Sequence, residues 1–405
     1  MDPHTRNYLE ARFREYYLQE SLEMPPNFRS REWGFILFDP RRMMHRHKSF
    51  LSRNELVDYI RTVTPAHAYH SAALYQQPGA PTMKEKGWIG ADLIFDLDAD
   101  HLRNAPSKYG DMLALVKRET LKLLDFLLSD FGFLDQDIDV VFSGGRGYHI
   151  HVRDPQVQDL GSEERREIVD YLTGRGLDIR RVITNRVIRG DFGVEKATVL
   201  AIPSQNAPGW FGRINRSVLS FVKDLRDLDE DDAISKLSSR KGIGKDGAAE
   251  FYENLKREDV LDQIKRGNLS GFKGSAKVWN PLIKDYLDDE GVHLLGFGLV
   301  DGRGETDEPV TTDIKRLIRF PLSLHGGTGL RVTPLSIDAL LIFDPLSDAV
   351  VFGDDPVEVC LSGPFELDMR GEYYRWDEGS AEVPLCVAVF LMARGAAELG
   401  KALEG

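Results

Sequence analysis

The chain has 405 residues, a formal net charge of −13 and 42% hydrophobic residues, which is room for roughly two domains of ordinary globular composition. That acidity excludes a protein that coats nucleic acid by bulk charge, although a local basic groove stays open to it. Two cysteines far along the chain, Cys360 and Cys386, exclude a disulfide framework and a paired-cysteine metal knuckle.

Residues 1–30 read as a polar N-terminal helix followed by a loop at Pro25-Pro26, with no apolar signal-peptide core. No apolar run approaches the ~18 residues of a membrane span, so a cytoplasmic protein with no membrane contact is expected. "EWGFILFD" and "AHAYHSAALY" read as strands, with a helix from about Asn54 to Arg61 between them. An acidic strand follows at 91–98. "GDMLALVKRETLKLLDFLLSD", 110–130, spaces its apolar residues by three and four, the signature of an amphipathic helix. "DIDVVFSGGRGYHIHVRD" reads as two strands about a glycine-rich turn, and "SEERREIVDYL" as a helix opened by Ser162.

From 208 to 276 the chain turns helical and charge-rich, with few β-branched runs. It reads as a helical insertion subdomain dividing a discontinuous domain of 1–207 and 277–405. Strand-like texture returns at "GVHLLGFGLV", "LRVTPL", "ALLIFD" and "AVVFG", and "PLCVAVFLMARGAAELG" closes the chain as a helix. The expected fold is mixed α/β (α+β), a mixed sheet flanked by helices and interrupted by the insertion.

Three stretches carry candidate chemistry. In "GADLIFDLDADHL" the strand period puts Asp96, Asp98 and Asp100 on one face, about 7 Å apart in succession, where like charges repel unless the face is wet or binds a cation. In "FSGGRGYHIHV" three glycines let the backbone approach a ligand, and Ser143 and Arg146 suit phosphate oxygens. His149 and His151 share one strand face there. An ordinary glycine-turn hairpin explains the same residues. In "TTDIKRLIRFPLSLHGGTGLRV" a helix is expected from Thr312 or Asp313, with Lys315, Arg316 and Arg319 on its polar side and His325 after Pro321. The patch "RRMMHRHKSF" at 41–50 adds cations. "GIGKDG" at 242–247 follows a polar stretch instead of a strand, so it is no dinucleotide fingerprint.

In combination and order, these three motifs resemble the catalytic small subunit of the archaeal-eukaryotic DNA primases, closest to the archaeal form. "SREWGF", "RHKSF", "YHSAALYQQP", "DFGF" and "VPLCVAVFLMARG" are similar to the same family. The resemblance implies template-dependent nucleotidyl transfer, making short RNA and possibly DNA primers on single-stranded DNA. It implies Asp96, Asp98 and Asp313 as catalytic ligands of a two-metal site holding Mg²⁺ or Mn²⁺. Ser143, Arg146, His149, Arg319 and His325 are implied to bind the nucleotide. The implied partners are the template, nucleoside and deoxynucleoside triphosphates, and a primase large subunit. One departure stands out: archaeal relatives often carry a zinc knuckle after the acidic strand, yet "HLRNAPSKYGDMLALVKRET" holds no cysteine, so zinc is not expected. The nearest alternative is a stand-alone repair polymerase of the same superfamily. More distant ones are a glycosyltransferase and a phosphohydrolase. For the last, Asp100 and His101 stand where a Thr or Val would be expected.

Overall fold

A computed structural model of the chain describes residues 1–102, 106–178, 181–189, 195–288 and 306–400. In chain order its elements are α1 (Pro3–Gln19), β1 (Trp33–Ile36), β2 (Met44–Lys48), α2 (Arg53–Val63), β3 (His67–Ser71), β4 (Ala73–Tyr75), β5 (Trp88–Ala91), β6 (Leu93–Asp98), α3 (Tyr109–Ser129), β7 (Ile138–Phe142), β8 (Gly147–Val152), α4 (Pro155–Gln158) and α5 (Ser162–Thr173). Next come β9 (Thr184–Arg189), β10 (Glu195–Ala201), α6 (Gly209–Arg226), α7 (Glu230–Ser238), α8 (Lys245–Leu255), α9 (Glu258–Lys265) and α10 (Ser275–Asp288). The chain ends with α11 (Glu308–Thr312), β11 (Leu317–Arg319), β12 (Thr333–Leu335), α12 (Ile337–Ile342), α13 (Pro345–Asp348), β13 (Pro356–Leu361), β14 (Phe365–Met369), β15 (Glu372–Trp376), β16 (Gly379–Pro384), α14 (Leu385–Arg394) and β17 (Ala397–Leu399). The fold is mixed α/β, as expected.

Two compact units form, one from Met1–Leu128, Gly132–Val169 and Glu305–Gly405, the other from Ser129–Phe131 and Asp170–Gly304. In the first unit α1 starts where the Asp2 carboxylate accepts from the His4 and Thr5 amides at 2.7 and 3.1 Å, with Pro3 opening the helix. Its four-residue spacing buries Thr5, Leu9, Phe13 and Tyr17. Two antiparallel four-stranded sheets follow, one in the order β11-β3-β1-β2 and the other β12-β7-β8-β6. Ile318 of β11 and Ile94 of β6 meet in a small buried cluster with Ala72 and Val310. The other face of β6 buries Leu93, Phe95 and Leu97, each at most 2% exposed.

A polar core ties these sheets together. Buried Arg31 forks onto the Asp92 carboxylate at 2.9 and 3.1 Å and also donates to the Ser71 and Ala72 carbonyls. Arg153 adds a second cation to Asp92 at 3.3 Å, and Arg165 donates to the Asp92 and Ala91 carbonyls. Beside them, His70 and His151 are fully buried, their rings 6.3 Å apart. Burial is the main force holding both neutral: it pushes the pKa of His151 down to about 3 and that of His70 well below its usual value.

The second unit packs α6–α10 around Phe221, Leu225, Phe251, Val260, Ile264 and Trp279, with β9 and β10 paired antiparallel. Within it Arg213 forks onto Asp130 at 2.7 and 3.0 Å, and Asn215 bridges the Pro203 and Ile264 carbonyls.

Some elements differ from their sequence reading. No helix starts at Thr312 or Asp313: a short helix opens earlier, at Glu308 with Pro309 in its first turn, and Asp313 is the residue that ends it. The following Leu317–Arg319 is a strand paired with β3, so cross-strand partners override a helical spacing of apolar residues. "ALLIFD" is largely the helix α12, because Ser336 Oγ accepts from the Ala339 amide at 3.1 Å and starts a turn. "AVVFG" forms no strand. "GVHLLGFGLV" lies outside the described residues.

Candidate active site

The acidic strand and the glycine-turn strand are neighbours: Asp96 pairs with His149 and Asp98 with Gly147. Directly opposed residues of an antiparallel pair share a face, so both carboxylates and His149 point to one side. His149 Nε2 lies 3.4 Å from Asp96 Oδ1. The close approach requires glycine at 147, since a β-carbon there would sit 2.1 Å from the Leu97 carbonyl oxygen. The turn itself is tied down at several points. Ser143 Oγ accepts from the Gly145 amide at 3.2 Å, Tyr109 donates to the Gly145 carbonyl, and Thr328 to that of Gly144. Gly144 has φ +73°, and a β-carbon there would press on His325 at 2.7 Å.

A cleft of about 640 Å³ opens on this face. Asp96, Asp98, Ser143, Arg146, His149, Arg319 and His325 all line it, so seven of the residues marked in the sequence come together. Asp313 is not among the lining residues. It is exposed, and its Oδ1 accepts from the Lys315 amide at 2.9 Å. Asp307, likewise outside the lining, donates its amide to the Asp96 carbonyl at 2.9 Å, and Thr306 Oγ1 donates to the same oxygen at 3.3 Å.

Burial raises the pKa of Asp96 above the usual carboxylate range. Asp98 and Asp307 add to the effect, and His149 and Arg316 oppose it. Burial likewise keeps His149 neutral. Arg319 stacks on Tyr69 at 4.6 Å and donates to His67 Nδ1, which also accepts from the Gly326 amide. Burial and Arg319 hold His67 neutral, its pKa lowered to about 3. His325 is neutral for the same reasons, with Arg146 and Arg394 contributing further. Its Nδ1 accepts from the Gly327 amide at 3.2 Å, which leaves Nε2 as the protonated nitrogen. Arg146 pairs with Asp100 and lies 3.8 Å from Asp98.

The cleft therefore joins oxygen ligands to a cationic rim. Asp96 and Asp98 offer the hard oxygen donors that Mg²⁺ or Mn²⁺ prefers, and a partly desolvated carboxylate beside a like charge gains most from a cation. Among the described residues no group of three His, Cys, Asp or Glu is arranged as a metal-ligand set. Two carboxylates with further oxygens from a bound phosphate fit such an ion.

Two residues lining the cleft, Tyr69 and Arg394, escaped the sequence reading, as did His67 behind Arg319 and Asp307 behind Asp96. Asp307 carried one usable signal, an acidic residue two before a proline at a helix start. His67 and Tyr69 alternate with buried Ala68 and His70 on β3, which marks a wetter face.

The family model for the DNA primase small subunit matches residues 95–337. The DNA primase small subunit PriS of Methanothrix thermoacetophila is 56% identical over 404 residues, covering 99% of this chain and 100% of the relative. The proteins of that name from Methanococcoides burtonii and Methanosarcina barkeri are 46% and 44% identical, each over 99% of this chain and 100% and 98% of the relative.

Proposed function

Because the chain belongs to the DNA primase small subunit family, we propose that it is the catalytic subunit of a DNA primase, joining nucleotides on a single-stranded DNA template into short RNA, and also DNA, primers. The observation that carries this reading is the single cleft in which Asp96 and Asp98 face a rim of Arg146, Arg319 and His325. Nucleotidyl transfer adds negative charge to an already anionic triphosphate, so catalysis is mainly positioning and electrostatic stabilisation.

Asp96 and Asp98 would hold Mg²⁺ or Mn²⁺, which when bound offsets charge on the reacting oxygens. Asp313, whose carbonyl accepts from the amide of cleft-lining Arg316, would complete the set as the third carboxylate the family implies. Arg319 grips the triphosphate; its stacking on Tyr69 and its hydrogen bond to His67 hold the guanidinium in one orientation. Neutral His325 donates from Nε2, and Ser143 with the glycine turn lets backbone amides approach phosphate oxygens closely. A primase large subunit is the partner expected in the assembled enzyme. No helix among the described residues is long and apolar enough to cross a membrane.

The test is synthesis of template-dependent product from nucleoside triphosphates and Mg²⁺ or Mn²⁺ on single-stranded DNA. Asp96→Ala, Asp98→Ala and Asp313→Ala should each abolish product with folding intact. Absence of polymer with the wild-type chain and its large subunit would refute the reading.

A further inference from the structure

α14 is buried from Leu385 through Ala393, and its last residue, Arg394, emerges exposed at the cleft. Gly395, at φ +74°, stops the helix there, so the guanidinium stands at a helix C-terminus, where the backbone dipole favours a cation. It lies over the Tyr109 ring at 4.8 Å and the Phe390 ring at 5.4 Å. Tyr109 in turn donates its hydroxyl to the Gly145 carbonyl, within the turn that carries Ser143 and Arg146.

Two other cations of this rim are engaged differently. Arg146 is paired with Asp100 and lies near Asp98, and Arg319 is bound to His67. Arg394 has no carboxylate within ion-pair distance among the described residues. Two aromatic rings orient it, so little side-chain freedom remains to be lost when an anion docks. Arg394, Arg319, Arg146 and His325 line the same cleft, which gathers three guanidinium groups and one imidazole along its rim. Such a cradle suits the most highly charged part of a substrate.

We propose that Arg394 contacts the β- and γ-phosphates of the incoming nucleoside triphosphate, and that Tyr109 is a positioning residue for it. The proposal rests on the primase reading of the same cleft. In the transfer step the primer 3′-oxygen bonds to the α-phosphorus and loses its proton to solvent. The bond from that phosphorus to the bridging oxygen breaks, and the electron pair leaves with pyrophosphate. Arg394 offsets the charge that arrives on this leaving group.

The experiment compares wild type with Arg394→Ala, Arg394→Lys, Tyr109→Leu and Tyr109→Phe, in complex with the large subunit. It reads KM and kcat for the nucleotide, direct binding of a nucleoside triphosphate and of the matching monophosphate, and template affinity. Arg394→Ala should weaken triphosphate binding and raise KM by roughly 10- to 100-fold, the loss of one charge-assisted contact. Monophosphate binding and template Kd should stay within about twofold, and lysine should restore part of the loss. Tyr109→Leu, which removes the ring, should give a KM increase that shrinks in the Arg394→Ala background, while Tyr109→Phe, which keeps the ring, should give a smaller one. Unchanged triphosphate binding in Arg394→Ala, or a loss that appears in template Kd, would overturn the proposal. Silence of Arg394→Ala while Asp96→Ala abolishes product would sink this proposal alone. Absence of polymer from the wild type would sink the primase reading, with triphosphate binding still reporting on Arg394.

Discussion

Replacing Gly147 by alanine perturbs the strand pair that carries the carboxylates without touching any polar group. The added carbon would fall 2.1 Å from the Leu97 carbonyl oxygen and 2.9 Å from the Asp98 Cα. Carbon–oxygen contacts ordinarily close to about 3.3 Å, so β6 and β8 must separate by about 1 Å just where Asp98 stands. Overpacking costs about 1–3 kcal/mol where side chains can yield, and here the obstacle is backbone, so a loss near 3 kcal/mol is expected. A displacement of about 1 Å in a catalytic group can cost on the order of 100-fold in rate. Urea unfolding and template-dependent nucleotide incorporation, measured on the same preparation, read the two effects separately. Gly363→Ala is the control, because no atom lies within 4 Å of its added carbon. Wild-type stability and rate in Gly147→Ala would refute the geometry from which the site is built.

Asp96→Asn should abolish incorporation yet raise the melting temperature of the metal-free protein. Its carboxylate is held above the usual range by burial and by Asp98 and Asp307, so ionisation at pH 7 opposes folding. Buried His70 and His151 make stability pH-dependent. With folded pKa values below the unfolded value of about 6.5, the unfolded state takes up protons first, so stability is full above pH 6.5 and falls from there toward about 3. Unfolding free energies at pH 7.5 and 5 should differ in that direction, and His151→Phe should flatten the slope. Asp92→Ala should cost about 3–5 kcal/mol in urea unfolding, because Arg31 would remain buried without its anion.

Much of the cleft was legible because its parts are local. Alternation over Leu93–Asp98 put both carboxylates on one face, and three glycines near Arg146 marked a turn built for close approach. Arg319 and His325 were found by motif, although the backbone under Arg319 was read wrongly. Ile314, Leu317 and Ile318 satisfy a helical spacing, and only pairing with Ser71–Tyr69 decides for a strand. Long-range contacts were the hidden part. Thr306 meets Asp96 across 210 positions, and no periodicity announces such a meeting, so Asp307 went unremarked. Arg394 was invisible for a related reason: a single cation at the end of an apolar helix looks like an ordinary helix terminus.

The sheet order also governs when the enzyme can come into being. β3 waits for β11, with Arg319 and His67 standing 252 positions apart, and β7 waits for β12 in the same way. During synthesis the ribosome therefore exposes both carboxylates, and an unpaired edge on each sheet, long before the segment that closes them emerges. A nascent chain halted before residue 306 would present two open strands to its neighbours and have no completed catalytic cleft. Self-association should therefore be greatest in that interval, and chaperone occupancy on translating ribosomes would rise and then fall as the last quarter of the protein appears.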